Sequence, residues 1–253
     1  MGVIDIKDLS FSYGNNVVFD NLSLSIKDGS FTTIIGNNNS GKTTLIKLLL
    51  GFEKSNGITI LGKDLNTNKR YIRKNAGVIF STPSVFFVFD TVRAELFFAS
   101  NDEKYILKVV KDLKMEDLLM ENPMKLSLNK QYLVALAICL ISKFKIIILD
   151  DIFINSYVYS VLKKVNKQGV TIINFTTNTE NIMYGNNVIV LDKKVVFTGT
   201  NKKLLNHLDV LNSLNMDVPF MLDLSEKLMF YGLVDKKYTN MEKLVNDIWK
   251  SAS

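Results

Sequence analysis

The sequence predicts an α/β fold built on a largely parallel sheet, and three observations carry that expectation. Short apolar runs at Phe31–Ile35, Val78–Phe80, Ile146–Leu149, Val170–Phe175 and Val188–Leu191 have the make-up of strands buried on both faces. Segments of helical pattern separate them, and strand–helix alternation places helices against a parallel sheet. A glycine-containing loop, Gly36–Thr44, joins the first of these runs directly to a helix.

Along the chain, Ile4–Ile6, Val17–Phe19 and Leu22–Ile26 read as short strands, with turn chemistry at Tyr13-Gly-Asn-Asn and Lys27-Asp-Gly. Gly36 bounds the run Phe31–Ile35, and Thr43–Leu50 follows as a helix stopped by Gly51. Roughly Asp90–Lys143 is almost wholly helical in pattern, which predicts a helical insertion. Leu208–Ser253 is amphipathic and helical, which predicts a small appended domain. There are no internal repeats and no low-complexity stretch.

The 253 residues are 47% apolar and 22% charged, enough to bury one large core and to exclude disorder as a description of the whole chain. The 31 Lys+Arg exceed the 25 Asp+Glu by six, but Arg occurs only at Arg70, Arg73 and Arg93. A lysine- and asparagine-rich chain of this kind reflects an AT-rich genome more than selection for phosphate contacts. Cys139 is the only cysteine, so no disulfide forms within the chain; a reducing cytosol and an inert buried thiol are expected. The opening Met-Gly-Val-Ile-Asp-Ile has no basic or apolar leader pattern, and Ile6 stands where a myristoylation signal needs Ser or Thr. Apolar runs fall short of the ~18–20 residues that span a bilayer, so a soluble chain is expected, with any membrane role exercised through a partner.

Gly36-Asn-Asn-Asn-Ser-Gly-Lys42-Thr43-Thr44 fits G-x-x-x-x-G-K-[ST] between a buried strand and a helix. In such a loop the backbone N–H groups of Gly36, Asn37, Asn38, Asn39, Ser40 and Gly41 wrap a phosphate, and the helix start (Thr43, Thr44) adds its dipole. Lys42 reaches the β- and γ-phosphates, and the Thr43 hydroxyl ligates Mg²⁺. Asn39 stands where many such loops have another Gly, and Asn accepts the left-handed conformation better than most residues. About a hundred residues on, Lys145-Ile-Ile-Ile-Leu149-Asp150-Asp151 is an apolar strand ending in carboxylates. Asp150 then lies at the strand tip, where sheets of this kind bind ligands and where it can hold Mg²⁺; Asp151 could polarise an attacking water.

With these motifs in place, the whole chain resembles an ATP-binding-cassette (ABC) ATPase, and within that family the ATPase subunits of energy-coupling factor (ECF) transporters. Ile6-Lys-Asp-Leu-Ser-Phe-Ser-Tyr13-Gly is similar to the family's first strand and aromatic loop, which implies that Tyr13 stacks on adenine. Asn21–Gly29 resembles the usual lead-in to the phosphate loop, and Gly57–Gly62 the strand after it. Val78–Val92 is similar to the segment containing the family's Q-loop, and Asp217-Val-Pro-Phe220 and Tyr238–Asp247 to the ECF C-terminal domain. The resemblance implies a P-loop NTPase fold with a RecA-like sheet core, an N-terminal antiparallel part and a helical insertion at about 90–143. It divides the chain into an ATPase domain, 1–205, and a C-terminal domain, 206–253.

The departures from the family pattern are informative. The Q-loop Gln position holds Ser81, and the signature Leu-Ser-Gly-Gly-Gln reads Leu126-Ser127-Leu128-Asn129-Lys130. The catalytic Glu position holds Asp151 and the switch-His position holds Thr177; the only histidine, His207, lies near the tail junction, where a surface role is expected. Branched Leu128 should obstruct backbone N–H groups that approach a γ-phosphate bound on the opposite subunit, although Ser127 can still donate to phosphate. Asp151 is one methylene short of Glu, and Thr177 cannot become cationic. Lys42, Asp151, Thr177 and Ser81 therefore stand at the catalytic positions, in a chain expected to hold ATP and Mg²⁺ but to hydrolyse ATP slowly.

By resemblance, the partners are a second ABC ATPase subunit, in a heterodimer, and two membrane proteins: a coupling protein and a substrate-binding subunit. The chain would lie peripherally on the cytoplasmic face of the membrane and serve micronutrient import, with Val85–Phe89 gripping the coupling protein. The alternative is a non-catalytic, ATP-binding structural or regulatory subunit of an ABC complex. A nucleic-acid ATPase of the same superfamily would call for a second cassette, a coiled coil or Arg-rich strips, which the sequence lacks; no nucleic-acid partner is expected.

Overall fold

The computed structural model describes residues 2–152 and 154–252; Met1 and Ser253, the outer bounds of the two expected domains, lie outside them. The chain opens with β1 (Ile4–Tyr13) and β2 (Asn16–Ile26), two long antiparallel strands where three short ones are predicted. The polar interruptions that break the apolar pattern are bulges within the pair. Asp8 and Asn21 take positive φ values of 48° and 57°. Their N–H groups donate to the hydroxyls of Ser23 at 2.9 Å and Ser10 at 3.1 Å, so the strands continue across the shifts in register.

β3 (Phe31–Ile35) leads through the loop Gly36–Gly41 into α1 (Lys42–Leu49), and Gly51, at φ 67°, lies just beyond the helix end. β4 (Ile58–Ile60), β5 (Lys63–Asp64), α2 (Lys69–Arg73) and β6 (Ala76–Phe80) follow. The predicted helical insertion comprises α3 (Val92–Ala99), α4 (Glu103–Asp112) and α5 (Leu128–Ile141), with two short 3₁₀ turns between α4 and α5. Thr91 and Asp102 cap α3 and α4 by accepting from the N–H groups of Ala94 and Tyr105. β7 (Ile146–Asp150), α6 (Ser156–Asn166), β8 (Thr171–Thr176), β9 (Asn187–Leu191) and β10 (Val195–Thr200) complete the sheets. The chain ends in α7 (Asn201–Leu205), α8 (Asp209–Ser213), α9 (Phe220–Phe230) and α10 (Met241–Ala252).

The antiparallel sheet has the order β2-β1-β4-β5, and the larger sheet the order β10-β9-β3-β8-β7-β6. In the larger sheet every pairing is parallel except β9 with β10. Because β3 and β7 flank β8, the loop after β3 and the carboxylates ending β7 emerge at the same edge. One face of α1 (Leu45, Ile46, Leu48, Leu49) is buried with Ile4, Ile6 and Phe19 of the antiparallel sheet and Ile34, Ile148 and Phe175 of the parallel one. On the opposite face, the helical insertion and α6 bury Val92, Leu96, Val134, Ala137 and Val161 against Ile147, Leu149 and Ile172. Cys139 lies in this layer, and burial pushes its thiol pKa up to about 12, which makes it the inert thiol expected.

The start of the tail shares a core with the sheet. Leu204, Leu208, Leu211, Met216 and Leu222 pack with Ile35, Val188 and Val190. Two polar links join it to the sheet edge: Asn37 Nδ2 donates to the Leu214 carbonyl at 2.6 Å, and the Phe220 N–H donates to Glu180 Oε1 at 2.5 Å. No described helix is long and apolar enough to cross a membrane.

Candidate nucleotide-binding site

The loop after β3 owes its shape to close approaches that only glycine permits. A Cβ on Gly36 would lie 2.2 Å from the Leu191 carbonyl oxygen and 2.6 Å from Ser40 Oγ. Gly41 has φ 101°, and a Cβ there would meet the Phe19 ring at 2.5 Å. Asn39 takes φ 66°, the left-handed conformation its residue type predicts. Gly41 precedes α1 without a side-chain cap, so the first N–H groups of the helix are left for a ligand. Lys42 folds back along the loop, with Nζ donating to the carbonyls of Gly36 at 2.7 Å and Asn37 at 2.8 Å. The Lys193 N–H in the β9–β10 turn donates to the Ser40 carbonyl at 2.9 Å and braces the loop from the other side.

The loop borders a cleft of about 700 Å³. Of the residues singled out in the sequence, Tyr13, Asn38, Asn39, Gly41, Lys42, Thr43, Thr44, Asp150, Asp151 and Thr177 line it. Gly36 and Ser40 are buried behind the loop. The Asn37 side chain turns away from the cleft to the tail, as its bond to Leu214 requires, which leaves its backbone as its part of the loop. Tyr13 stands half-exposed at the end of β1, its ring edge-on to Phe11 at 4.9 Å and its hydroxyl donating to Glu53 Oε1 at 3.3 Å. The Lys47 ammonium lies over the ring, 6.0 Å from its centroid.

Burial raises Asp150 above the ordinary carboxylate range; Asp151 beside it adds to the rise and Lys42 opposes it. Burial lowers the Lys42 ammonium from its ordinary value, against the pull of Asp151 and Asp150. This arrangement of a partly desolvated cation among carboxylates favours a polyanion that brings its own divalent ion. The Thr43 hydroxyl and the Asp150 carboxylate share the cleft, and two hard oxygen donors suit Mg²⁺. Among the described residues no cluster of three or more His, Cys, Asp or Glu converges on a metal position, so phosphate oxygens and water would complete the shell.

Asp151 sits at φ 51°, and its Oδ1 accepts from Thr176 Oγ1 and from the Thr177 N–H, both at 3.2 Å. The carboxylate is thereby drawn toward the end of β8. Ser81 lies outside the cleft lining; it is exposed after β6, and its carbonyl accepts from the Tyr132 hydroxyl at 3.0 Å. Ser127 is also exposed and outside the lining; it precedes α5 and its side chain makes no cap bond, and Leu128, Asn129 and Lys130 beside it are exposed. Gln131 secures the turn before this helix, donating to the carbonyls of Met124 at 3.2 Å and Leu126 at 3.0 Å. His207 is exposed at the junction with the tail.

Four lining residues go unpredicted by the motifs: Asn16, Val17, Val18 and Lys193. The first three follow the Tyr13 turn on the same hairpin, so an aromatic stacking position at Tyr13 already implied their neighbourhood. Nothing in the local sequence around Lys193 marks it; only the packing of the β9–β10 turn on the loop brings it there.

Comparison with known proteins agrees with this geometry. Residues 19–153 match the ABC transporter family. The chain is 33% identical to the ECF transporter ATP-binding protein EcfA of Pediococcus pentosaceus, over 91% of this chain and 90% of that protein. It is likewise 33% identical to EcfA1 of Fusobacterium nucleatum, over 99% of this chain and the whole of the relative. In structure it is similar to cbiO1 from Clostridium perfringens, part of the ABC transporter complex cbiONQ, with a TM-score of 0.76 at 23% identity, covering 89% of this chain and 99% of that one. The fold, the loop-bordered cleft and these relatives together place the chain in the ABC transporter family, among the ATP-binding proteins of energy-coupling factor transporters.

Proposed function

We propose that the protein binds ATP–Mg²⁺ as the ATPase subunit of an ECF-type importer and couples ATP-driven closure of an ATPase dimer to a membrane partner, with weak hydrolysis of its own. The observation that carries this reading is the split between two surfaces. Tyr13, Lys42, Thr43 and Asp150 converge in one cleft, whereas Ser127 and Leu128 lie exposed outside it, available only to a nucleotide held by another subunit. In this reading residues 1–205 form the ATPase part, and 206–253 the C-terminal domain.

The chemistry assigned to the chain is mostly binding. Loop N–H groups and Lys42 hold the phosphates, Thr43 and Asp150 hold Mg²⁺, and Tyr13 receives the base. Bound Mg²⁺ would neutralise charge developing on the phosphates. Asp151 is left to orient water, but one of its oxygens already accepts two hydrogen bonds at the end of β8, and Thr177 supplies a hydroxyl where the family's cationic switch residue would be. Loss of a few kcal/mol at such positions slows turnover by orders of magnitude.

A groove beside Phe80 supports attachment to a membrane partner. It has a volume of about 660 Å³ and is lined by Phe52, Phe86, Val88, Phe98, Ile138 and Phe144. Val85, Phe86 and Val88 are 69%, 57% and 75% exposed, too much apolar surface in one segment for an ordinary solvated loop. Glu95 fixes that segment by accepting from the N–H groups of Val88 and Phe89, the latter at 2.7 Å. A coupling protein in this groove, a substrate-binding membrane subunit beyond it and a peripheral position on the cytoplasmic membrane face follow from the reading.

The test is ATP turnover by the chain alone, by its mixture with the second ATPase of the complex, and by that mixture carrying Lys42→Ala. Slow turnover alone and faster turnover in the mixture fit the reading. Rapid turnover by the isolated chain overturns the claim of weak hydrolysis, and failure to co-purify with a membrane protein overturns the importer assignment in favour of a regulatory subunit.

A further inference from the structure

Lys193 occupies the β9–β10 turn with φ 56°, a backbone conformation that would suit glycine better than lysine. Its N–H donates to the Ser40 carbonyl of the loop, and the exposed residue lines the same cleft as Lys42, Asp150 and Asp151. It comes from the strand on one side of β3, whereas Asp151 and Thr177 come from the β7 and β8 side. The charged residues lining the cleft are Lys42 and Lys193 against Asp150 and Asp151. Without Lys193 the cleft would present a net negative lining to an anionic ligand.

We infer that Lys193 is a second cationic ligand for the nucleotide phosphates, reaching them from the β9–β10 side of the loop and supplying charge that Lys42 alone does not. This rests on the reading of the cleft as an ATP site. The backbone at residue 193 braces the loop whatever the side chain, so the bracing N–H and the side-chain charge are separable by mutation. Exposed charge pairs are worth little singly and are screened by salt, so the contribution is a matter of affinity and its ionic-strength dependence, with no role in folding.

The experiment measures ATP, ADP and AMP binding by the full chain in Mg²⁺ buffer at several salt concentrations, for the wild type and for Lys193→Gly, Lys193→Gln and Lys193→Arg. Lys193→Gly is expected to keep or raise the melting temperature of the nucleotide-free protein, because glycine suits the left-handed turn, yet to bind ATP about fivefold more weakly. Lys193→Gln should weaken ATP binding similarly and flatten its salt dependence, Lys193→Arg should restore it, and AMP should be affected least. ATP affinity within twofold of wild type in both the Gly and Gln variants, with the same salt dependence, overturns the inference. Absence of ATP binding by the wild type instead overturns the ATP-site reading beneath it.

Discussion

The loop Gly36–Thr44 and the segment Leu126–Lys130, to which the proposed function assigns phosphate binding and the signature role, differ sharply in this chain. In the loop, the approaches at Gly36 and Gly41 leave no room for a Cβ, and Lys42 and the β9–β10 turn fix the backbone from both sides. In the signature segment, Leu128 starts α5 with its side chain in solvent, and the Ser127 hydroxyl caps nothing. The loop's shape is required by the fold itself, so packing as well as ligand binding holds its residues in place. In the other segment Leu126 packs against the core, but Ser127, Leu128, Asn129 and Lys130 are exposed, so residue type at those four positions is little constrained by packing. In the proposed function ATP holding and ATP splitting are separable, and mutations should separate them.

The largest effect is expected at the loop. Gly36→Ala drives a Cβ into a backbone carbonyl and should cost about 3 kcal/mol, lowering the melting temperature by roughly 6–12 °C and abolishing ATP binding; calorimetry with and without ATP checks both. Leu128→Gly should leave stability within about 1 kcal/mol of wild type. It should raise turnover about tenfold when the chain is mixed with a catalytically intact partner ATPase, because one recovered backbone donor at a γ-phosphate is worth at least that much. Equal turnover with and without the change would show that Leu128 is not the obstruction.

The sequence made the loop legible because its chemistry is local: Gly, Lys and Thr at fixed spacing, and Asn39 at a left-handed position. The tip of β7 was legible for the same reason, an apolar run ending in two carboxylates. The long strands β1 and β2 were not, because bulges at Asp8 and Asn21 are stabilised by Ser23 and Ser10 on the facing strand, a pairing visible only once register is known. The same holds for Lys193 in the cleft, for Asn37 bound to the tail and for Leu208–Leu222 packed on the sheet, all of which depend on contacts distant in sequence.

Smaller effects probe the hydrolytic end of the cleft. On the proposed function, Asp151→Glu should raise single-turnover hydrolysis about threefold, since it extends the carboxylate but leaves Thr177 unchanged; rapid quench measures it. Asp150→Asn tests the electrostatics. Burial holds the Asp150 pKa above its unfolded value, so the ionised form costs stability as pH rises from about 4 through the folded value. The nucleotide-free variant should match wild type below that range and melt slightly higher at neutral pH, while its Mg²⁺-dependent ATP affinity falls about tenfold. A variant that melts lower at neutral pH would contradict the sign.

The central claim, that this chain holds ATP far better than it splits it, is tested most directly by incubating the purified chain with substoichiometric ATP and Mg²⁺ and assaying the bound nucleotide over time, with Lys42→Ala as the control. Saturable binding that Lys42→Ala abolishes is expected, with most of the bound nucleotide recovered as ATP after many minutes. Conversion of the bound ATP to ADP within seconds by the isolated chain would contradict it.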